Sequence, residues 1–139
     1  MRVAFDQVNL IKRDTLEHRM VKGDATPLHI HRTEDEVFYL LAGQMLFEVD
    51  GVQIRAQAGD VVMAPKGVPH RFVVDVSEGA HCLTIMRGSD FETVVREVST
   101  PAVTRLVVPA PAPTAEAVQR LVSTLAAHSI DVLGPPLAA

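Results

Sequence analysis

Short apolar runs alternate with glycine-containing turns through the first two thirds of the chain. Turn signals such as Ala58-Gly59-Asp60 and Lys66-Gly67 recur about every 8–12 residues, a rhythm that is typical of a β-sandwich or a small barrel. The runs between the turns are rich in Val, Phe and Leu and have the length of strands. The pattern predicts an all-β domain with strands at 16–21, 28–31, 37–41, 45–49, 61–64, 71–76 and 80–86.

Two turns matter for the connections between these strands. Asp50-Gly51 stands between two apolar runs. Asp-Gly favours the type I′ turn of a two-residue hairpin, because both of its central positions need a positive φ. Ala42-Gly43-Gln44 is predicted to be a second turn, which separates the strands 37–41 and 45–49.

The periodicity changes after residue 90. Apolar residues at three- and four-residue spacing predict a short amphipathic helix on the outside of the barrel, at Phe91, Val94, Val95 and Val98. Four prolines follow between 101 and 113. Thr114 is a candidate N-cap for a second helix from about 115 to 128, whose apolar face is Val118, Leu121, Val122 and Leu125.

The predicted domain organisation has three parts. They are a β-barrel (1–98), a Pro-rich linker (99–115) and a C-terminal helical tail (116–139). The tail is too short to be a domain of its own, so we expect it to pack against the barrel or to cross to a partner subunit.

Composition excludes several classes of protein. The 139 residues are 47% apolar with a formal charge of −4, which suits one globular domain with a real core. No basic cluster or long apolar run occurs, so we expect neither a nucleic-acid partner nor a membrane span. The N-terminus lacks the apolar stretch of a signal peptide. A single cysteine, Cys82, allows no internal disulfide, and this favours a reducing cytoplasm.

Candidate metal-binding chemistry concentrates in two segments. In the first, His29 and His31 are two residues apart on a predicted strand, so both imidazoles lie on one face. Glu36 begins the next strand, and imidazoles with a carboxylate make a site for a divalent transition metal. In the second, Pro65 and Gly67 specify a tight turn before a strand that opens with His70, which would place that imidazole accurately.

These segments resemble the two motifs of the cupin family. The first fits Gly, five residues, His-x-His, four residues, Glu, six residues, Gly, from Gly23 to Gly43. The second fits Gly, five residues, Pro-x-Gly, two residues, His, from Gly59 to His70. All nine key positions match. One departure is Val74, where the family often has Asn.

The resemblance implies a fold, a metal and a pocket. The fold is the cupin double-stranded β-helix, a jelly-roll barrel, here with short C-terminal helices. The implied ligands of a divalent transition metal (Ni, Fe, Mn, Co, Zn or Cu) are His29, His31, Glu36 and His70. Inward-facing side chains predict an apolar substrate pocket, lined by Phe38, Leu40, Met63, Phe72 and Val74.

Other polar residues near the motifs have plainer interpretations. Glu34 and Asp35 lack the family spacing, so they are predicted to be exposed turn residues. His18 could be a cavity residue or a half-buried structural histidine. His81 and Cys82 lie on the last strand, where either could face inward, and Cys82 is expected to be a small core residue. His128 is predicted to lie on the surface.

Three functions remain open from the sequence. The short layout is similar to the quercetin dioxygenase-like cupins, which implies a dioxygenase that acts on a small aromatic or enolic substrate with Glu36 as the catalytic proton acceptor. The first alternative is an O2-independent isomerase, decarboxylase or lyase, whose oxo-acid substrate would need a cation from Arg19, Arg55 or Arg87. The second is a non-catalytic cupin that binds a small molecule. Small cupins also resemble one another in pairing, so a homodimer is expected.

Overall fold

The computed structural model describes residues 14–101, 104 and 112–139, and the backbone of two further N-terminal strands. Most of the predicted linker 99–115 falls outside these residues. The elements are β1 (Arg2–Val3), β2 (Val8–Lys12), β3 (Thr15–Met20), β4 (Asp24–Ala25), β5 (Leu28–His31), β6 (Glu36–Val49), β7 (Val52–Gln57), β8 (Val61–Ala64), β9 (His70–Val73), β10 (Ala80–Met86), α1 (Asp90–Val98), α2 (Ala115–Ala127) and β11 (Ile130–Gly134).

The strands form two faces of a jelly roll, which confirms the predicted fold class. One face holds β2, β3, β10, the first half of β6, and β8. The other holds β1, β4, β9, β5 and β11 with the second half of β6 and β7. All of these pairings are antiparallel except β1 with β4, and the apolar inner sides of the two faces form the core.

A single long strand joins the two faces. β6 runs for 14 residues without a break, so the turn predicted at Ala42-Gly43-Gln44 is wrong. Gly43 has a φ of 75°, and a Cβ there would lie 2.0 Å from the carbonyl oxygen of Gly79. Glycine therefore lets β6 cross from one face to the other without ending, because it permits both the backbone angle and the close approach.

The predicted hairpin and helices are confirmed. Asp50 and Gly51 both have a positive φ, and Val49 pairs with Val52. Both helices begin and end within one residue of their predicted bounds. Thr114 caps α2, since its hydroxyl accepts a hydrogen bond from the backbone N–H of Ala117 at 3.1 Å.

The C-terminal segment is part of the barrel rather than an appendage. Ile130–Gly134 forms β11 and pairs with β5, so the prediction of a purely helical tail is wrong over these residues. Leu125 and Ile130 pack with Val94 of α1 in a second core cluster. The segment was missed because five residues bounded by Gly-Pro-Pro look like an irregular end. No helix in the described ranges is long and apolar enough to cross a membrane.

Candidate metal centre

Four side chains converge at one end of the barrel. His29 and His31 alternate with outward residues on β5, while Glu36 and His70 are the first residues of β6 and β9. His29 lies opposite His70 in the register of β5 and β9. Each residue offers one nitrogen or oxygen atom, and these four atoms all lie within 4.8 Å of one another. The structure thus brings together the four ligands predicted from the motifs.

The turn before β9 is tied to the strand that carries two of the histidines. Gly67 has a φ of 75°, and its N–H donates to the carbonyl of His31 at 2.7 Å. The N–H of Lys66 donates to Asp35 Oδ1 at 3.0 Å. These bonds fix the end of β5 relative to the start of β9, so His31 and His70 are held in place by backbone.

Two of the three imidazoles are oriented by backbone carbonyls. Nδ1 of His29 lies 2.7 Å from the Pro27 carbonyl oxygen, and Nδ1 of His70 lies 3.0 Å from that of Val68. A carbonyl can only accept, so each Nδ1 carries the proton and donates it. In the neutral rings the lone pair is then on Nε2. This arrangement is the usual way in which proteins prepare histidine to bind a metal.

Glu36 is the buried anion of the cluster. Its Oε2 lies 2.9 Å from His70 Nε2 and 3.3 Å from His31 Nε2, and the residue is 3% exposed. Burial by itself raises the pKa of this carboxyl, but His31 and His70 outweigh burial and lower the pKa to about 2. Glu36 is therefore a carboxylate at neutral pH.

The pKa values of His29 and His31 shift in opposite directions, although burial acts to lower both. Burial, with His70 nearby, lowers the pKa of His29 to about 3, so its ring is neutral and can serve as a ligand. Burial also acts to lower the pKa of His31, but the carboxylates of Glu36 and Glu34 reverse that effect and raise it.

The donor set fits a divalent transition metal. His70 Nε2 and Glu36 Oε2 lie 2.9 Å apart, and each presents a lone pair to the other. Two lone pairs at this distance repel each other unless a proton or a metal cation lies between or beside them. Neither ring nitrogen of His31 makes a well-aligned hydrogen bond within the described residues, and the nearest acceptor facing its Nδ1 is Glu34 Oε2 at 3.5 Å. Three imidazole nitrogens and one carboxylate oxygen suit Ni, Fe, Mn, Co, Zn or Cu.

An apolar cavity opens behind the four side chains. Its volume is about 40 Å³. Its apolar lining comes from the barrel and from the C-terminal elements, namely Pro27, Phe38, Phe72, Phe91, Leu121, Leu125 and Ile130. The remaining polar lining is His18, Thr26 and Thr84. No lysine, arginine or aspartate in the described ranges lines it, and Glu36 is the one carboxylate among the described lining residues.

The predicted pocket residues fall into three groups. Phe38 and Phe72 line the cavity. Leu40 and Val74 are fully buried in the core outside the cavity lining. Met63 is 53% exposed, and its prediction as a pocket residue is corrected: on β8 the inward positions are Val62 and Ala64, so Met63 faces the outside of the barrel.

The roof of the cavity is formed by residues that the sequence motifs do not predict. Phe91 of α1, Leu121 and Leu125 of α2, and Ile130 of β11 all line it. The apolar face of each helix was visible in the sequence, but only the fold shows what that face covers. Ile130 gave one signal, an apolar residue that begins the short run Ile-Asp-Val-Leu.

Glu34 is buried, which contradicts its prediction as an exposed turn residue. It is 1% exposed, and its carboxylate accepts the backbone N–H groups of Asp90 and Phe91 at 2.8 and 3.0 Å. Asp35 is half-buried rather than exposed, and its carboxylate accepts a hydrogen bond from the backbone N–H of Lys66. An acidic run is usually solvated, and the helix that satisfies Glu34 lies more than fifty residues away in sequence.

The other candidates are also placed. His18 is buried and lines the cavity. His81 faces outward and lies 2.7 Å from Glu17 Oε1. Cys82 is in the core, where burial raises the pKa of its thiol to about 12, so it is a core residue as expected. His128 is partly exposed beside Glu97.

The chain belongs to the cupin family. The family model described as "Cupin domain" matches residues 16–86, just over half of the chain. The matched range includes the four converging residues. It ends before α1, so Phe91, Leu121, Leu125 and Ile130 lie beyond it.

Individual relatives share only part of their length with this chain. Quercetin 2,3-dioxygenase of Bacillus subtilis is 37% identical over 37% of this chain and 15% of the relative. Acireductone dioxygenase 4 of Arabidopsis thaliana is 41% identical over 35% of this chain and 28% of the relative. The chain spans less than half the length of the curated relatives it matches.

Solved structures support the fold. The cupin domain of Schizosaccharomyces pombe Cnp3 superposes with a TM-score of 0.54 at 17% identity, over 65% of this chain and 69% of that one.

Proposed function

We propose that this cupin is a metal-dependent dioxygenase that acts on a compact aromatic or enolic substrate. The observation that carries the proposal is the composition of the cavity. Away from the metal cluster it is mostly apolar, with no lysine or arginine among its described lining residues, so the substrate is held mainly by its hydrocarbon surface and presents a polar group to the metal. Two partial relatives are named dioxygenases, and this supports the proposal.

Different residues of the site would bind the metal, accept a proton and pack against the substrate. His29, His31 and His70 would hold the metal with Glu36, and the bound metal would supply Lewis-acid activation and a template for substrate and O2. Glu36 would take the proton of the substrate hydroxyl, because its Oε2 lies among the ligand atoms, 2.9 Å from His70 Nε2 and 3.3 Å from His31 Nε2. Phe38 and Phe72 pack against the apolar part of the substrate and exclude water.

The size of the cavity limits the substrate. A volume of about 40 Å³ is far below the roughly 300–1,000 Å³ of sites for drug-sized ligands. We therefore expect compact enols and catechol-like compounds to be better substrates than a flavonol, which would enter only if the roof of Leu121 and Leu125 moved.

The O2-independent alternative has weaker support. It requires a cation to bind the carboxylate of an oxo-acid, and the three candidate arginines do not line the cavity. Arg19 is paired with Glu17, Arg55 is paired with Asp75, and Arg87 is exposed.

Oxygen uptake tests the proposal. Protein loaded in turn with Ni, Fe, Mn or Co is mixed with compact enols, and O2 consumption is followed with an electrode. We expect metal-dependent uptake that is lost in Glu36→Gln and His29→Ala, with near-stoichiometric metal in the wild type by elemental mass spectrometry. Turnover that persists under strict anaerobiosis, or metal-loaded protein without uptake on any enol, would refute the dioxygenase.

We also propose that the chain forms a homodimer through the outer side of β8, β6 and β10. Seven apolar side chains lie there in adjacent rows, namely Val37, Tyr39, Leu41, Val61, Met63, Leu83 and Ile85. Val61 and Met63 are 62% and 53% exposed. Glu17 and Arg19, which pair with each other at 2.9 Å, border the patch on β3, and a twofold axis would bury the same apolar patch of both copies.

A further inference from the structure

Glu34 places a second buried carboxylate beside the metal cluster. It lies in the connection between β5 and β6, and its Oε2 is 3.5 Å from Nδ1 of His31. Both side chains are 2% exposed. A buried carboxylate costs free energy unless hydrogen bonds compensate it. Two backbone N–H groups at the start of α1 provide part of that compensation.

His31 differs from the other two histidines in what stands behind its ring. Backbone carbonyls accept from Nδ1 of His29 and of His70. For Nδ1 of His31 the structure shows no carbonyl acceptor in the described ranges, and the group that faces it is the Glu34 carboxylate. A carboxylate is a stronger acceptor than a carbonyl, and it makes the imidazole a more basic ligand.

We infer that Glu34 is a positioning residue of the metal centre. Its carboxylate accepts the Nδ1–H of His31, which fixes the tautomer of that ring and directs the Nε2 lone pair towards Glu36 and the other ligands. This role rests on the proposed metal site. Glu34 does not itself bind the metal, because its oxygens face Nδ1 of His31 and the start of α1.

The same carboxylate joins α1 to the metal centre. Glu34 binds the N–H groups of Asp90 and Phe91, and the Phe91 ring stands edge-on to His31 at 5.8 Å between centroids. A Cβ at Gly88 would lie 2.4 Å from Glu34 Oε1, so only glycine leaves room for the carboxylate. The Glu34 carboxylate therefore contacts both His31, a candidate ligand on β5, and the backbone of Phe91, a residue of the cavity roof on α1.

The test compares metal affinity in Glu34→Gln, Glu34→Asp and a matched control. Thr33→Ala is the control, because Thr33 donates to Asp90 at the same helix start without touching His31. Affinity for Co²⁺ is measured by competition with a chelator, together with the visible spectrum of bound Co²⁺ and the unfolding of the metal-free protein. We expect Glu34→Gln to bind about 10–100-fold more weakly with a changed spectrum. Glu34→Asp keeps the charge and should recover part of the affinity, and Thr33→Ala should match the wild type.

The outcomes separate this inference from the proposed function. Glu34→Gln that loses only the stability of the metal-free protein, with affinity within threefold of the wild type, would show that Glu34 is a helix cap and overturn the inference. Should Glu34→Gln fail to fold, wild-type affinity and spectrum in Glu34→Asp would overturn the inference, and so would an equal loss of affinity in Glu34→Asp and Thr33→Ala. Wild-type protein that binds no Co²⁺ would instead remove the metal site on which both proposals rest.

Discussion

Ile130 pairs with His31 across the antiparallel strands β11 and β5. A residue near the end of the sequence is thus the backbone neighbour of a candidate metal ligand. On its other side β5 pairs with β9 at His29 and His70, and its His31 carbonyl accepts the N–H of Gly67. β11 therefore supplies most of the strand pairing that positions the two histidines of β5.

Removing β11 should damage the metal centre. A chain that ends at residue 128 leaves β5 with an unpaired edge, so we expect at least tenfold weaker metal binding and a lower Tm. Affinity by chelator competition and thermal unfolding by circular dichroism measure the two effects. A chain that ends at residue 136 keeps β11 and the Pro135 carbonyl, which accepts from Arg71 at 2.8 Å, and should behave as the full chain. Equal affinity in both truncations would contradict the prediction.

Leu125 supports both the stability and the selectivity of the cavity. It is 5% exposed and lines the roof, so Leu125→Ala should cost about 3 kcal/mol of unfolding free energy and enlarge the cavity. We expect bulky enols to gain turnover relative to compact ones. Denaturant unfolding and paired oxygen-uptake rates are the measurements. Val122→Ala, at a 38% exposed position of the same helix, should change neither, and an unaltered substrate preference in Leu125→Ala would argue against this roof.

Two glycines with the same φ should differ sharply in their tolerance of alanine. Gly43 and Gly51 have φ values of 75° and 76°, but only at Gly43 would a Cβ meet another backbone, at 2.0 Å. Gly51→Ala should cost about 1 kcal/mol from the backbone angle alone, and Gly43→Ala about 4 kcal/mol or more. Urea unfolding gives both values. Similar losses in the two variants would mean that β6 does not bend where Gly43 lies.

The hydrogen bond between Glu17 and His81 should stabilise the fold only where Glu17 is ionised, above acidic pH. The hydrogen bond from His81 and the charge of Arg19 lower the pKa of Glu17 below its ordinary 4.5. The unfolded chain then binds the proton more tightly, so this stability is present above about pH 5 and is lost as the pH falls through 4.5 and below. We expect Glu17→Gln to lose less than about 1 kcal/mol at pH 7, and the difference from the wild type to shrink as the pH falls below 4.5. A difference that grew on acidification would reverse the sign of the argument.

The outer apolar patch should control association. Val61→Lys combined with Met63→Lys places two charges within it, and we expect the proposed dimer to become a monomer in light scattering coupled to gel filtration. Val52→Lys is the matched control, because Val52 is 61% exposed but lies on β7, outside the patch. A dimer that survives the double substitution would place the interface elsewhere.

Local patterns predicted most of the barrel and its four converging side chains. Strand-length apolar runs gave β5, β8 and β10 within a residue, and Asp50-Gly51 gave its hairpin, because those signals are contained in a few neighbouring residues. The predictions failed where the deciding partner is distant. The local pattern at Gly43 indicates a turn, and only its close approach to Gly79 shows why β6 continues there. The acidic run around Glu34 indicates exposure, and only the fold places the start of α1 over it.

Assigning the side chains of a strand to its inner or outer face requires one residue whose direction is already known. For Phe38 the parity follows from Glu36, and the structure places it at the cavity. Met63 had no such reference, and a shift of one position sends a side chain to the opposite face. The roof residues could not be assigned at all, since a helix's apolar face does not state what it covers.

The pairing of β5 with β11 sets an order of events during synthesis. Residues 31 and 130 are 99 positions apart, and a ribosome adds about 5–20 residues each second. His29 and His31 therefore leave the ribosome roughly 5–20 s before the strand that holds them in place. Through that interval the strand bearing two of the candidate metal ligands has an open edge, so we expect stable metal loading to follow the arrival of β11 rather than precede it.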